Sequence, residues 1–290
     1  MKPSFAIVGC GKVGSALARF LTAAGYRAAG LASKSLSSAQ RVAEMIGTKR
    51  FSRVNWEVTK SADIVFITTP DGAIGEACRQ IAGNNGLRER SIVLHCSGSL
   101  SSEILFPAKE CGASIGSMHP LQSFVSVEIG SNPFQGIIIS VEGEPQAVDA
   151  ARKIAADLGA TFMEIKTEAK TLYHASAVVA SNYLVTLLDL AFRLIEPAGV
   201  SKTDALKLLK PLIGGTLSNI EKVGIPEALT GPIERGDAEV LERHMAEIAS
   251  KVPELMTIYK ALSLYTIGVA RKKGTLSESR AQMLKGVLGK

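Results

Sequence analysis

Three of the four histidines stand in short segments whose other residues could also take part in chemistry. His95 opens the run HCSGS, His119 precedes a proline in SMHPLQSF, and His174 follows Lys170 by four residues. A histidine can donate or accept a proton near neutral pH, and a lysine can do so when burial lowers its pKa. The predicted catalytic residues are Lys170, His174, His119 and Ser97.

Polar side chains in and near these segments could hold a substrate. Ser99 adds a second hydroxyl to HCSGS, and Asn182 lies farther along the helix face that Lys170 would occupy. Arg235, in ALTGPIERGD, could bind a carboxylate through two parallel hydrogen bonds. Each segment also has a purely structural interpretation: a Ser/Gly turn that caps a helix, packed histidines, a solvated lysine, and an Arg235–Asp237 pair within its loop.

A glycine pattern near the start of the chain predicts a dinucleotide site. A short apolar run is followed by G-C-G-K-V-G and then by a helix-like stretch. Gly9 would form the tight turn, Gly11 would let a diphosphate approach the backbone, and Gly14 would let helix and strand pack closely. Lys12 and Val13 open the helix, whose N–H groups and dipole favour phosphate. The structural alternative is a glycine-rich turn without a ligand.

The next strand candidate ends where an NAD site would place a carboxylate for the ribose 2′-hydroxyl. This chain has Ser33, Lys34 and Ser35 there, and one cation with two hydroxyls suits a phosphate. NADP is therefore favoured over NAD, although the serines also suit a helix N-cap. Thr69 and Pro70 follow a later strand and are predicted to cover the phosphate or ribose on the nicotinamide side.

The elements that must position these residues fall into two groups. Up to residue 165, short β-like runs alternate with helix-like stretches, which predicts an α/β Rossmann domain with a mostly parallel, doubly wound sheet. From residue 166 the pattern is all-α, so we predict an NADP-binding domain over 1–165 and a helical substrate and dimerisation domain over 166–290. The predicted strands are 5–8, 27–32, 64–68, 92–95, 114–118, 136–141 and 161–165. The predicted helices are 13–24, 37–46, 72–83, 101–109, 145–158, 167–197, 202–213, 215–222, 237–249, 253–271 and 277–288.

The composition, 46% hydrophobic and 21% charged, is typical of a soluble globular protein. The net charge is +6, but the chain has no run of five or more basic residues, and only 5% of its residues are aromatic. These features disfavour nucleic acid as a partner and are compatible with a small anionic substrate. The four cysteines form no C-x-x-C pair, so we expect reduced thiols, a cytoplasmic location and no metal site.

The apolar stretch 176–195 approaches the length of a membrane span. It carries Asn182, Asp189 and Arg193, whose polar groups are costly in lipid. A helix buried in a core or in a dimer is therefore favoured over a membrane contact. The apolar surface of 171–195 predicts a homodimer.

Taken in order, these segments resemble a known bacterial family over essentially the whole chain. The shared pattern is G-x-G-x-x-G, TTPD, HCSGS, MHPLQSF, KTLYHASAVVASNY and ALTGPIERGD. The chain is similar to two-domain proteins with a Rossmann-like domain and a C-terminal helical domain of unknown function (DUF2520). That family is related to pyrroline-5-carboxylate reductase, prephenate dehydrogenase and the 6-phosphogluconate dehydrogenase group. The resemblance implies a helical domain like the C-terminal domain of 6-phosphogluconate dehydrogenase, and NADP-dependent redox activity.

The resemblance also implies roles for single residues. The hydroxy-acid dehydrogenases of the wider group place a catalytic lysine, and an asparagine four residues later, on the first interdomain helix. Lys170 matches the lysine, whereas His174 stands in place of the asparagine. Prephenate dehydrogenases use a serine after one strand and a histidine in an H-P turn after the next, and Ser97 or Ser99 and His119 are similar. The segment ALTGPIERGD departs from the proline-binding segment of pyrroline-5-carboxylate reductase.

We therefore expect an NADP(H)-dependent oxidoreductase. It would transfer hydride to or from a small, carboxylate-bearing carbonyl or imine substrate that enters between the domains. Two alternatives stay open at this point: a protein that binds NADP(H) without turnover, as a sensor or scaffold, and one that exchanges hydride with a deazaflavin.

Overall fold

The computed structural model describes residues 2–124 and 131–289 and divides into two compact units, Met1–Ser181 and Asn182–Lys290. The first unit carries the sheet, and the second is helical. The predicted domain border at 165/166 stays a prediction.

The strands of the first unit form one eight-stranded sheet. They are β1 (Ser4–Val8), β2 (Arg27–Ala32), β3 (Phe51–Ser52), β4 (Ile64–Ile67), β5 (Ile92–His95), β6 (Ser114–Pro120), β7 (Ile138–Gly143) and β8 (Thr161–Glu164). Their order is β3-β2-β1-β4-β5-β6-β7-β8, and every neighbouring pair is parallel except β6 and β7. The predicted α/β Rossmann fold with a mostly parallel sheet, followed by helices, is confirmed.

The helices of the first unit cover both faces of this sheet. They are α1 (Lys12–Ala23), α2 (Leu36–Ile46), α3 (Asn55–Thr59), α4 (Asp71–Gly83), α5 (Phe106–Glu110) and α6 (Pro145–Asp157). Side chains of β1 alternate between two hydrophobic clusters, with Phe5 and Ile7 in one and Ala6 and Val8 in the other. A strand buried on both faces reads as a continuous apolar run, which is why β1 was recognisable from sequence.

The helices of the second unit begin with one that crosses the border between the units. They are α7 (Lys170–Ile195), α8 (Lys202–Val223), α9 (Pro232–Arg235), α10 (Ala238–Lys251), α11 (Met256–Lys273) and α12 (Glu278–Leu288). A cluster around Leu241, Ile267 and Leu284 joins α10, α11 and α12, and a smaller one around Leu190 and Ile248 joins α7 to α10.

Several boundaries differ from the predictions. The elements β3 and α3 were not predicted, because two and five residues are too few to show a periodicity. The two helices predicted around Gly214 and Gly215 form the single helix α8, since glycine costs a helix only about 1 kcal/mol and both positions face open space. The predicted helix 101–109 is a 3-10 turn, Ser102–Leu105, followed by the short α5.

The interpretation of 176–195 as a core helix is wrong for the single chain. The segment Thr167–Ala198 is long and apolar enough to cross a membrane, and only 6% of its most apolar window is buried. Leu172, Val179 and Val185 of α7 are all more than half exposed. This helix therefore presents an apolar surface that its own chain leaves uncovered.

Candidate active site

The bend between β1 and α1 has the contacts that the glycine pattern predicted. Gly9 has a φ of +108°, and a Cβ there would lie 2.7 Å from the backbone of Thr68 and Thr69. A Cβ on Gly14 would collide with the carbonyl oxygen of Gly9. Both glycines therefore let the bend, α1 and the segment after β4 pack in direct backbone contact.

Gly11 differs from the other two glycines because a Cβ there would meet no atom of the described residues within 4 Å. It is the N-cap of α1, and the exposed Lys12 and half-buried Val13 begin the helix. The first N–H groups of a helix have no partner within the helix, and the helix dipole is positive at this end. An anion can therefore approach the backbone at Gly11, as a diphosphate would.

The segment after β4 adds hydroxyl groups beside this bend. The Thr68 hydroxyl donates a hydrogen bond to the Gly9 carbonyl at 2.6 Å, which ties the two segments together. The Thr69 hydroxyl is buried and has no hydrogen-bond partner among the described residues. Since buried polar groups normally have partners, Thr69 fits a ligand at this position. Pro70 follows as the N-cap of α4.

The loop after β2 carries the residues predicted to read the cofactor's 2′ position. Ser35 caps α2 and accepts a hydrogen bond from the Ser38 N–H at 3.4 Å, while Ser33 is half-buried and Lys34 is exposed. The structure adds Arg53, whose Nε donates to the Lys34 carbonyl at 3.2 Å. Sequence analysis missed Arg53 because it follows the unrecognised strand β3.

The HCSGS segment is held by an internal hydrogen-bond network. His95 is fully buried; its Nδ1 accepts from the Ser97 N–H at 3.1 Å, and its Nε2 lies 3.2 Å from the Ser101 carbonyl. Both contacts are satisfied by a neutral imidazole that donates from Nε2. Burial, followed by the charge of Lys170, lowers the His95 pKa to about 4. His95 is therefore a neutral structural group in this fold.

The two serines of this segment bond to a carboxylate that sequence analysis did not single out. The hydroxyls of Ser97 and Ser99 donate to Asp71 at 2.9 and 2.8 Å. Ser97 also accepts the N–H groups of Ser99 and Leu100, both at 3.1 Å, so its hydroxyl is fully engaged. Ser97 thus stabilises the loop through its hydrogen bonds, whereas Ser99 is less buried and part of its side chain is exposed to solvent.

Gly98, between these serines, faces two histidines. A Cβ on Gly98 would lie 2.5 Å from His174 Nδ1 and 2.8 Å from His119 Nε2. The ring centroids of His119 and His174 are 6.0 Å apart, and the Tyr173 hydroxyl lies 3.5 Å from His119 Nδ1. His174 Nδ1 is buried without a partner among the described residues. The absence of a side chain at Gly98 therefore lets both rings pack directly against the backbone of this loop.

The pKa of His119 is lowered to about 4, first by burial and then by the charges of Lys170 and His174. His119 is thus a neutral imidazole at neutral pH, able to donate or accept a hydrogen bond. Of the predicted catalytic residues, His119 and His174 lie against Gly98, and Ser97 precedes Gly98 in the chain. Tyr173, a phenol that sequence analysis missed, joins them on α7.

Lys170, the fourth predicted catalytic residue, lies inside the first unit. Its side chain and that of Glu142 are each 1% exposed, with Nζ 3.3 Å from the carboxylate. Lys170 also donates to the Ser117 hydroxyl. Burial lowers the pKa of Lys170, and the charge of Glu142 opposes that shift.

The remaining predicted substrate-binding residues belong to the second unit. Asn182 is exposed on α7. Arg235 forms an ion pair with Asp237 at 2.8 Å, as the structural interpretation of this loop predicted, and its side chain is 58% exposed. Among the residues that the model describes, no group of three His, Cys, Asp or Glu side chains could hold a metal ion.

Comparison with known families agrees with this architecture. Residues 2–120 match the model of a Rossmann-like domain, and residues 137–266 match a domain of unknown function (DUF2520). No curated protein matches the chain significantly.

Solved structures share the fold over nearly the whole chain. A candidate NADP oxidoreductase from Bacteroides fragilis is 22% identical, with a TM-score of 0.73 over 92% of this chain and 98% of that one. Protein TM1727 from Thermotoga maritima is 27% identical, with a TM-score of 0.67 over 93% and 99% of the two chains. An imine reductase from Myxococcus stipitatus in complex with NADP+ is 12% identical, with a TM-score of 0.68 over 98% and 99%.

Proposed function

Because this chain belongs to the proteins that join a Rossmann-like domain to a DUF2520 domain, we propose that it is an NADP(H)-dependent oxidoreductase. The observation that carries the proposal is the bend at Gly11, where open space meets the N-terminus of α1. The Thr69 hydroxyl, which has no hydrogen-bond partner in the part of the chain that the structure describes, supports a ligand beside it. The dinucleotide-binding residues would be Gly9, Gly11, Lys12, Val13, Gly14, Ser33, Lys34, Ser35, Thr69 and Pro70, joined by Arg53.

Bound NADP(H) would supply or accept the hydride. When hydride adds to a C=O or C=N carbon, negative charge develops on the heteroatom and a proton donor must neutralise it. His119 and His174 pack against Gly98, Tyr173 lies beside His119, and we assign these three groups as the candidate donors. Gly98 lies in the loop that follows β5, which ends at His95, and in open α/β sheets ligands bind outside the carboxyl ends of the strands.

The substrate would be a small carbonyl or imine compound, and the net charge of +6 favours one that carries a carboxylate. Structural neighbours support this class of chemistry, since one is a reductive aminase from Aspergillus terreus in complex with NADPH4, cyclohexanone and allyl amine. Nucleic acid is not part of the proposed function. The alternative from a different class is a protein that binds NADP(H) without turnover. Oxidation of NADPH in the presence of carbonyl and imine compounds separates the two, because the alternative predicts binding with no oxidation.

We expect the chain to bind NADPH more tightly than NADH, with the preference dependent on Arg53. An Arg53→Ala variant should bind NADPH about 10-fold more weakly, because a hydrogen bond to a charged phosphate contributes about 1.5–3 kcal/mol. Its NADH affinity should not change. Titration of nicotinamide fluorescence measures the affinities for NADPH and NADH. The matched control is Arg50→Ala, because Arg50 is also exposed and precedes β3 in the chain as Arg53 follows it. No NADPH binding by the wild type would contradict the proposed function itself.

We also propose that the chain is a cytoplasmic homodimer that uses the exposed apolar surface of α7. Leu172, Val179 and Val185 leave more exposed apolar surface there than a monomer normally retains. Light scattering should give twice the chain mass of 30.6 kDa, and a Val185→Glu variant should shift the protein toward monomer. A wild type that scatters as a monomer at all concentrations, or that partitions into lipid vesicles, would contradict this assignment.

A further inference from the structure

Glu142 and Lys170 form a buried ion pair next to the segments that carry the histidines of the candidate site. Glu142, on β7, accepts hydrogen bonds from the Ser102 N–H and hydroxyl, both at 2.8 Å, and from the Thr167 hydroxyl at 3.0 Å. Lys170 Nζ, at the start of α7, completes the set at 3.3 Å. The carboxylate therefore has partners on both oxygens, as a buried charge requires.

The pair is joined to each of the three segments that surround Gly98. Lys170 lies one helical turn before His174 on α7. Lys170 also bonds to Ser117, which lies two residues before His119 and therefore on the same face of β6. The Ser117 hydroxyl lies 3.4 Å from the Ser97 carbonyl, in the loop that holds Gly98.

We propose that Glu142 and Lys170 are positioning residues: their buried ion pair joins the segments that carry His119, His174 and Gly98, and it holds a positive charge beside His119. This inference rests on the proposed function where it treats the surrounding residues as an active site, but its test does not depend on that function. It assigns Lys170 a role other than proton donor, because an ammonium that is 1% exposed and bonded to Glu142 and Ser117 does not reach a substrate.

The charges that act on His119 come from two elements, α7 and α4. Lys170 and His174, on α7, lower its pKa, and Asp71, on α4, raises it. Tyr173, also on α7, contacts its Nδ1. Removing the ammonium of Lys170 while the other groups stay in place should therefore raise the pKa of His119.

The experiment is an NMR titration of the histidine ring protons in the cofactor-free protein. Lys170→Met should raise the pKa of His119 by about one unit. Because Lys170→Met leaves Glu142 buried and unpaired, the variant Glu142→Gln/Lys170→Met, which removes both charges and keeps the side-chain shapes, is titrated as well. It should raise the His119 pKa in the same direction but by less, because a carboxylate is removed as well, and amide exchange of Gly98 and Tyr173 should become faster.

Lys109→Met is the matched control, because Lys109 pairs with Glu144 at the surface of the same unit and is 49% exposed. It should leave the His119 titration and both amides unchanged. A folded Glu142→Gln/Lys170→Met variant in which either the His119 titration or the exchange of both amides keeps its wild-type value would overturn the proposal. Since no cofactor or substrate is added, that outcome is independent of whether the protein is an oxidoreductase.

Discussion

Between pH 6.5 and pH 4, the first unit is expected to lose about 3 kcal/mol of unfolding free energy through His95 alone. The pKa of this histidine is about 4 in the folded chain, against an ordinary value of 6.5. The unfolded chain therefore takes up a proton at a higher pH than the folded chain does. The stabilisation is fully present above pH 6.5 and is lost as the pH falls toward 4. His119 is shifted in the same direction for the same principal reason, burial.

This loss can be followed by urea unfolding at a series of pH values, with Trp56 fluorescence as the probe. Trp56 is the one tryptophan of the sequence and lies on α3, so its signal reports on the first unit. His95→Gln keeps an acceptor and a donor on the side chain but does not titrate. It should be less stable than the wild type at pH 7, with a flatter pH dependence between 6.5 and 4.5.

His244→Gln provides the control, because His244 belongs to the second unit, where it bonds Tyr259 at 2.8 Å. The Trp56-reported profile of this variant should match the wild type. The comparison stays above pH 4.5 so that carboxylates do not contribute to it. The pKa values of Asp63 and Asp157 are lowered, so these groups lose their stabilising contribution only at lower pH. Parallel profiles for His95→Gln and the wild type between pH 6.5 and 4.5 would show that His95 is not the cause.

Gly11→Ala is expected to weaken NADPH binding at least 10-fold while leaving the fold intact. A Cβ at this position meets no atom of residues 2–124 and 131–289 within 4 Å, so the protein itself should tolerate it. Gly11 is an N-cap with a φ of −78°, which alanine adopts readily, and the helix should lose about 1 kcal/mol or less. The same Cβ would occupy the space where a diphosphate must approach the backbone N–H groups. The variant adds a single carbon atom, which should lower the affinity for NADPH and leave the unfolding free energy almost unchanged.

Fluorescence titration with NADPH and urea unfolding should be measured on the same preparation. Gly83→Ala is the matched control: Gly83 ends α4, a Cβ there also meets nothing within 4 Å, and this variant should bind NADPH like the wild type. Wild-type affinity in a folded Gly11→Ala variant would place the dinucleotide elsewhere and remove the main support for the proposed function. Gly14→Ala is unsuitable for this purpose, because its Cβ would collide with the Gly9 carbonyl.

The sequence by itself determined the features that are local in the chain. The buried strands β1 and β4 are continuous apolar runs, and the bend at Gly9, Gly11 and Gly14 follows from the absence of side chains at those positions. Strands that alternate with helices leave few topologies, which made the parallel sheet and the helical second half predictable. The His119 and HCSGS segments were also found, because polar residues at strand ends meet at one edge of such a sheet.

Only the tertiary structure decided which of these groups contact each other and which are buried away from solvent. Asp71 meets Ser97 across 26 positions, and Glu142 meets Lys170 across 28. Such pairings depend on sheet register and on the direction of each side chain, and no periodicity in the chain encodes them. For the same reason, a lysine chosen from sequence as a proton donor proved to be 1% exposed beside a carboxylate. Burial is a property of all the elements packed around a residue, so the chemistry available to Lys170 was set by the assembled fold.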